Sequence, residues 1–191
     1  GADPSSIHKI SGKTGEGVER LLEAIIERIP APKGNEDAPL QALIFDSFYD
    51  LYRGIVVLVR IVNGHFKIGD KIKFMNTGAQ HEIVELGVNI PKEYKKDKLI
   101  VGEVGYLSAS IKNIDDVKVV DTITLVNNHA KEALPGYKTM KSMVFCGLYP
   151  IDSSKYNELR EALSKLQLND DSLHFEPESS KALGLGFRGG F

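Results

Sequence analysis

A Gly12-Lys13-Thr14 run, five scattered histidines and one cysteine are the side chains of this 191-residue sequence with the most chemistry to offer. Gly-Lys-Thr closes the loop that cradles phosphates in many nucleotide hydrolases. That loop also needs a glycine five positions before Gly12, where the nest of backbone N–H groups begins. Position 7 is Ile7, so the cradle has no start, and the chain itself is expected to carry no catalytic residue and to hydrolyse no nucleotide. His8, His65, His81, His129 and His174 stand apart, with none four residues from another as a helical metal pair would be, and read as surface side chains. Cys146 lies in the apolar run Met143–Pro150 and reads as a small buried hydrophobe. With no second thiol, neither an internal disulfide nor a cysteine-rich zinc site is available, and no metal site is expected. A reducing, intracellular compartment fits this usage.

Charge narrows the partners. The chain has 24 basic and 26 acidic side chains, which excludes binding nucleic acid mainly through a global positive excess. Any RNA contact must be local. One basic stretch stands out, Lys92, Lys95, Lys96 and Lys98, offset by Glu93 and Asp97, and charge runs of this kind also serve as solvated loops. The longest unbroken aliphatic run, Ile55–Val59, is far below the roughly 20 residues that cross a bilayer, so stable membrane insertion is not expected. No secretory leader is visible.

These residues must be positioned by elements of three kinds. A strand-like piece over Ser6–Ile10 precedes the Ser11–Gly17 loop. Val18, Leu21, Leu22, Ile25, Ile26 and Ile29 then recur at helical spacing, which predicts an amphipathic helix over 16–29 stopped by Pro30. One helix and a strand stub cannot bury such a stripe, so residues 1–29 are expected to be the tail of a larger domain. Residues 30–39 have three prolines and no apolar period, the composition of a linker.

From 40 to 127 the period changes to two. Ile55–Val62 predicts a strand, Asn63-Gly64 a tight hairpin turn, and Phe66–Met75 the return strand with a bend at Gly69-Asp70. Further runs follow over Ile83–Val88, Val101–Ile111 and Val117–Val126. About six short strands in this length favour closure into a small barrel without helices, because closure hides the edges. A second linker over 128–137 leads to 138–191: an apolar strand, a helix capped by Asp152 or Ser153 with Tyr156, Leu159, Leu163 and Leu166 inward, a strand from Leu173, and a glycine-rich strand over Leu183–Phe191. The fold class is therefore mainly β with α+β. A six-stranded barrel is followed by a partial, ferredoxin-like α+β sandwich that lacks its last helix and strand.

Several runs resemble one family. Ser11-Gly12-Lys13-Thr14-Gly15-Glu16-Gly17-Val18, with the helix after it, is similar to the last guanine-contacting motif and final helix of translational GTPases. Asp46–Gly54, Val62–Ile72, Gly102–Tyr106 and Asp121–Ile123 resemble the barrel shared by such factors. Leu166–Leu173, Phe175–Ser180 and Ala182–Arg188 resemble the LepA family of elongation-factor-G-like GTPases most closely. Gly12 stands where the family carries alanine, Val120 where it carries glycine before Asp-Thr-Ile, and Gly189 where it often has cysteine. Glycine still offers the backbone N–H that the guanine motif uses, whereas a β-branched Val120 resists positive φ.

The resemblance implies an internal segment of a GTP-dependent factor of protein synthesis connected with translocation. Ser11, Gly12 and Lys13 would then be a remnant of the guanine-base site. GTP and Mg would belong to the missing N-terminal GTPase domain, with no cofactor expected in this segment. Partners would be the ribosome, through rRNA and ribosomal proteins, and tRNA. Arg53, Lys95, Lys96 and Arg188 are candidate rRNA-facing cations, chosen from charge and loop position. The implied location is cytoplasmic, with peripheral association at the inner membrane or a mitochondrial or plastid homologue as alternatives. Two rival readings are a stand-alone binding module without a GTPase, against which the unpartnered helix speaks, and an active nucleotide hydrolase, which would bind GTP by itself.

Overall fold

The computed structural model describes residues 3–136, 142–168, 170 and 172–190, which form parts of two compact units, Gly1–Pro32 and Lys33–Phe191. In the first unit a 3₁₀ turn, Pro4–Ser6, precedes irregular chain to Ile10, where the sequence predicts a strand. A strand needs a partner for its N–H and C=O groups, and none of the described residues of this unit supplies one. Helix α1, Val18–Arg28, starts after Gly17, which sits at φ 72° where a side chain would also strike the Lys9 carbonyl. No residue of α1 is buried, and its apolar stripe, with Leu22, Ile25 and Ile26, lies exposed with Ile29 beyond it.

The second unit begins with ten strands: β1 Gln41–Asp50, β2 Gly54–Asn63, β3 His65–Lys67, β4 Lys71–Phe74, β5 Gln80–Glu82, β6 Glu85–Ile90, β7 Lys92–Lys95, β8 Lys98–Ile100, β9 Val104–Ser108 and β10 Thr122–Leu125. Eight make one antiparallel sheet in the order β5-β4-β10-β1-β2-β9-β6-β7, and β3 pairs with β8 apart from it. There are ten where the sequence suggests about six: Gly69, at positive φ, splits the predicted return strand into β3 and β4, and β5, β7 and β8 form between the predicted runs. A 3₁₀ turn, Ile114–Asp116, interrupts the strands where no helix was expected. Alternate residues of β2, Ile55, Val57, Val59 and Ile61, point into a core with Ile44, Phe66, Phe74 and Leu107. Each such side chain, fully buried, stabilises the fold by roughly 1.5–3 kcal/mol.

Asn63-Gly64 is not a hairpin turn. β2 runs on into β3 around a corner, and its sheet partners are β1 and β9 instead. Gly64, at φ 69°, is required there by crowding, since a Cβ would lie 2.7 Å from the Ala38 carbonyl oxygen and 2.8 Å from Leu40 Cα. The linker residues cause that crowding. The Asn35 N–H donates to Asn63 Oδ1 and its carbonyl accepts from Gly64 N–H, so from residue 34 the proline-rich stretch lies on the barrel. The second linker is sewn down likewise: Ala130 and Leu134 N–H groups donate to the hydroxyls of Thr124 and Thr122.

The expected third-domain start at 138 lies outside the described residues. After it come β11 Phe145–Leu148, a 3₁₀ turn Ser153–Lys155 capped by Asp152, helix α2 Tyr156–Gln167, β12 His174–Ser180 and β13 Gly184–Gly190. The sheet order is β11-β13-β12, all antiparallel. Tyr156 stacks on Phe187, which is met edge-on by Phe175, fixing α2 to the sheet. Of the predicted helix stripe only Leu163 is fully buried, and Leu166 stays exposed. Barrel and α+β part share packing: Leu168 joins the barrel core, and the buried Ser47 hydroxyl of β1 donates to its carbonyl at 3.0 Å.

Candidate functional site

Ser11, Gly12 and Lys13 stand together in the loop before α1. Ser11 closes that loop three ways: its N–H donates to the Glu16 carbonyl, its carbonyl accepts from Gly15 N–H, and its Oγ accepts from Thr14 N–H. Gly12 has open space where a Cβ would sit, so an alanine would fit there equally well. Gly12 and Lys13 are exposed. Among the described residues no group of three His, Cys, Asp or Glu is placed to hold a metal ion.

Of the four cations predicted to face rRNA, Arg53, Lys95 and Lys96 gather about the β6–β7 hairpin and are paired, and Arg188 stands apart in the other sheet. Arg53, in the β1–β2 turn, is clasped by carboxylates: Asp50 at 3.3 Å, Glu85 at 3.2 Å and Glu93 at 2.9 Å. Its guanidinium lies 5.4 Å from the Tyr106 ring centre. Hydrogen bonds from Arg53 to Glu93 hold the guanidinium protonated well above its ordinary pKa despite partial burial. Lys95 of β7 bonds Glu85 at 2.7 Å with its own side chain 76% exposed. Lys96 pairs with Glu103. Glu85, hydrogen-bonded first by Lys95 and then by Arg53, is held below the usual carboxylate range. Arg188 lies exposed on β13, in register with Glu176 of β12, in the other sheet.

The Arg53 clasp was not read from the sequence. Its acids come from positions 50, 85 and 93, and only the pairing of β6 with β7 brings Glu85 and Glu93 to one guanidinium. Gly87 is part of the same arrangement, since a Cβ there would stand 2.4 Å from the Tyr106 ring. Two single-residue expectations are corrected. Cys146 is exposed, because β11 has no layer over that part of it among the described residues. His81 is partly buried, 3.0 Å from Asp116 and edge-on to Phe74, whereas the other four histidines are exposed.

A cavity of about 850 Å³ opens where the barrel meets α2, lined among others by Ser47, Asn76, Val120, Asp121, Leu168 and His174. Asp121 is only 5% exposed, and one oxygen accepts from Asn76 and Thr122 N–H groups. The other, Oδ2, is buried without a hydrogen bond of good geometry, while the Thr77 N–H also acts on the carboxyl. Burial raises the pKa of this carboxyl, opposed by those backbone donors. Val120 beside it has φ 79°, a conformation that β-branched residues resist.

Comparison with known proteins places these features. Residues 54–124 match the family described as elongation factor Tu domain 2, which covers β2 to β10. The chain is 57% identical over 191 residues to "Elongation factor 4" of Exiguobacterium sibiricum and 59% identical to that of Streptococcus pyogenes. Both alignments cover all of this chain and 32% and 31% of those proteins, so the chain spans about a third of their length. A crystal structure from Thermus thermophilus superposes over 91% of this chain and 26% of that one, with TM-score 0.67 and 25% identity. With the barrel matched to a translation-factor domain and every region aligned at this identity, the chain belongs to the elongation factor 4 (LepA) family.

Proposed function

We propose that this chain is the ribosome-docking portion of an elongation factor 4 that hydrolyses GTP during protein synthesis. The observation that carries the reading is the identity of 57–59% to such factors over the whole chain, barrel and third domain together. GTP and Mg would be bound mainly by a part of the factor outside these residues, with Ser11, Gly12 and Lys13 contributing the edge that meets the guanine base. The barrel and the α+β part would dock on rRNA and ribosomal proteins and relay the nucleotide state, with tRNA as a further contact.

Within that reading the four cations have unequal parts. Lys95 keeps an exposed ammonium while bonded to Glu85, and Arg188 is exposed, so both suit phosphate contact. Arg53 and Lys96, spent on carboxylates, suit the shaping of the loops that carry such contacts. The balanced charge favours docking by shape and a few cations over broad phosphate neutralisation. A cytoplasmic location goes with this role; among the described residues no helix is long and apolar enough to cross a membrane.

Fluorescent GTP binding and ribosome co-sedimentation test it. This chain should fail to bind GTP tightly, and a version extended N-terminally should bind. Lys95→Gln and Arg188→Gln should each lower the salt slope of ribosome binding by about 1, as expected when a single cation no longer meets a phosphate. Tight GTP binding by the chain alone would overturn the division of labour.

A further inference from the structure

Asn63-Gly64 is the one Asn-Gly pair in the sequence. Such a pair is chemically labile, because a glycine nitrogen with no Cβ beside it reaches the carboxamide carbon of the preceding asparagine with little hindrance. In the folded protein each atom of that reaction is held. The Gly64 N–H donates to the Asn35 carbonyl at 2.8 Å, Asn63 Oδ1 accepts from the Asn35 N–H at 3.0 Å, and Asn63 Nδ2 donates to Gln41 Oε1 at 2.8 Å. Two of these three bonds come from a single residue of the linker. That linker is lightly seated: residues 33–37 are exposed, and the Lys98–Glu36 pair that pins it at 2.9 Å has side chains 41% and 46% exposed. Gly34 fits against the barrel only because it has no side chain, since a Cβ there would stand 2.1 Å from the Val62 carbonyl oxygen. A segment with exposed hydrogen bonds and no buried apolar side chain opens at much lower free energy than the barrel core.

We propose that Asn63 is a deamidation site gated by the linker, closed while residues 34–38 lie on the barrel and open when they lift. On opening, the Gly64 nitrogen gives its proton to hydroxide and bonds to Asn63 Cγ, the Cγ–Nδ2 bond breaks, and Nδ2 leaves as ammonia. The cyclic imide that results takes up one water. Cleavage between the Gly64 nitrogen and Cγ gives aspartate, and cleavage between that nitrogen and the Asn63 main-chain carbonyl carbon gives isoaspartate. Neither product restores the closed state. Aspartate has no N–H for Gln41 Oε1 and sets a carboxylate against it. Isoaspartate adds a methylene to the main chain at a corner where a Cβ on Gly64 would already lie 2.7 Å from the Ala38 carbonyl oxygen. The modification is therefore a one-way mark of linker opening, made by the chain's own atoms and water.

The test is incubation of the 191-residue protein at mildly alkaline pH, with peptide mapping by mass spectrometry for conversion at Asn63 and an isoaspartate assay on the same peptide. The folded protein should deamidate at Asn63 at least about tenfold more slowly than the same chain in urea, because the closed linker withholds the nucleophile. Gly34→Val drives a side chain into Val62 and lifts the linker, so it should speed the reaction about tenfold while hydrogen exchange at β2 and β9 amides stays unchanged. Glu36→Gln removes only the pin to Lys98 and should speed it about threefold. Ile72→Val, a mild change in the barrel core away from the linker, should leave the rate as it is. Equal rates in the folded and urea-unfolded chains would overturn the gate. So would acceleration in Ile72→Val matching that in Glu36→Gln, which would place the reaction in globally unfolded molecules. An unchanged rate in Glu36→Gln would overturn it even where Gly34→Val fails to fold.

Discussion

At the scale of single residues, Val120 shows how a local rule yields to its surroundings. Its N–H donates to the Ile44 carbonyl, and the Asp121 carbonyl accepts from Ile44 N–H, so the chain here must follow the bulged edge of β1. That path demands φ 79°, which costs on the order of 1–3 kcal/mol for a non-glycine residue. Val120→Gly is expected to gain about 1 kcal/mol, the relieved strain less the extra freedom of glycine in the unfolded chain. Urea unfolding of the two proteins checks the sign. Gly136 answers Val120 directly: a Cβ on it would lie 1.8 Å from Val120 Cγ1, so Gly136→Ala should destabilise, and less so in the Val120→Gly background.

At the scale of elements, the β6–β7 hairpin is held to the β1–β2 turn through Arg53. The guanidinium is 22% exposed and meets three carboxylates, so its removal leaves partly desolvated acids facing one another. Arg53→Met should cost about 2 kcal/mol and speed hydrogen exchange at β7 amides before those of β2. Uniform acceleration through the barrel would contradict the clasp. Helix α1 makes the opposite case. Ile26 is 80% exposed, so Ile26→Glu should change stability by no more than about 0.5 kcal/mol, read as an unchanged melting temperature.

For the whole molecule, the acid limb of stability follows from the clasp and its neighbours. Hydrogen bonds to Lys95 and Arg53 depress Glu85, and the backbone N–H groups of Arg53 and Tyr52 depress Asp50. A depressed carboxyl binds fewer protons in the folded state, so its contribution is present above its ordinary value, 4.5 for Glu85 and 3.8 for Asp50. It is lost as pH falls through the folded pKa. Asp121 acts with the opposite sign. Its raised pKa makes the folded state bind more protons, so it costs stability as pH rises from 3.8 through the folded value. Urea midpoints from pH 3 to 7 should therefore fall steeply toward acid, and Glu85→Gln should flatten that limb.

Much of the fold was legible in the sequence because it rests on periodicity. The stripe from Val18 to Ile29 specified α1, and the change to period two at residue 40 specified an all-β unit. The spacing around Ile7 removed the phosphate nest, and the run from Leu166 to Arg188 carried the family. Tertiary structure decided what depends on residues far apart in the chain. Gly64 turned a corner in place of a hairpin because residues 38 and 40 pack against it. Arg53 became the centre of a clasp because β6 and β7 pair, and Cys146 is exposed because nothing described covers β11 there. Asp121 came to accept from the Asn76 N–H only once β4 and β10 had paired. Periodicity is a property of neighbours along the chain, whereas pairing, crowding and burial belong to neighbours in space.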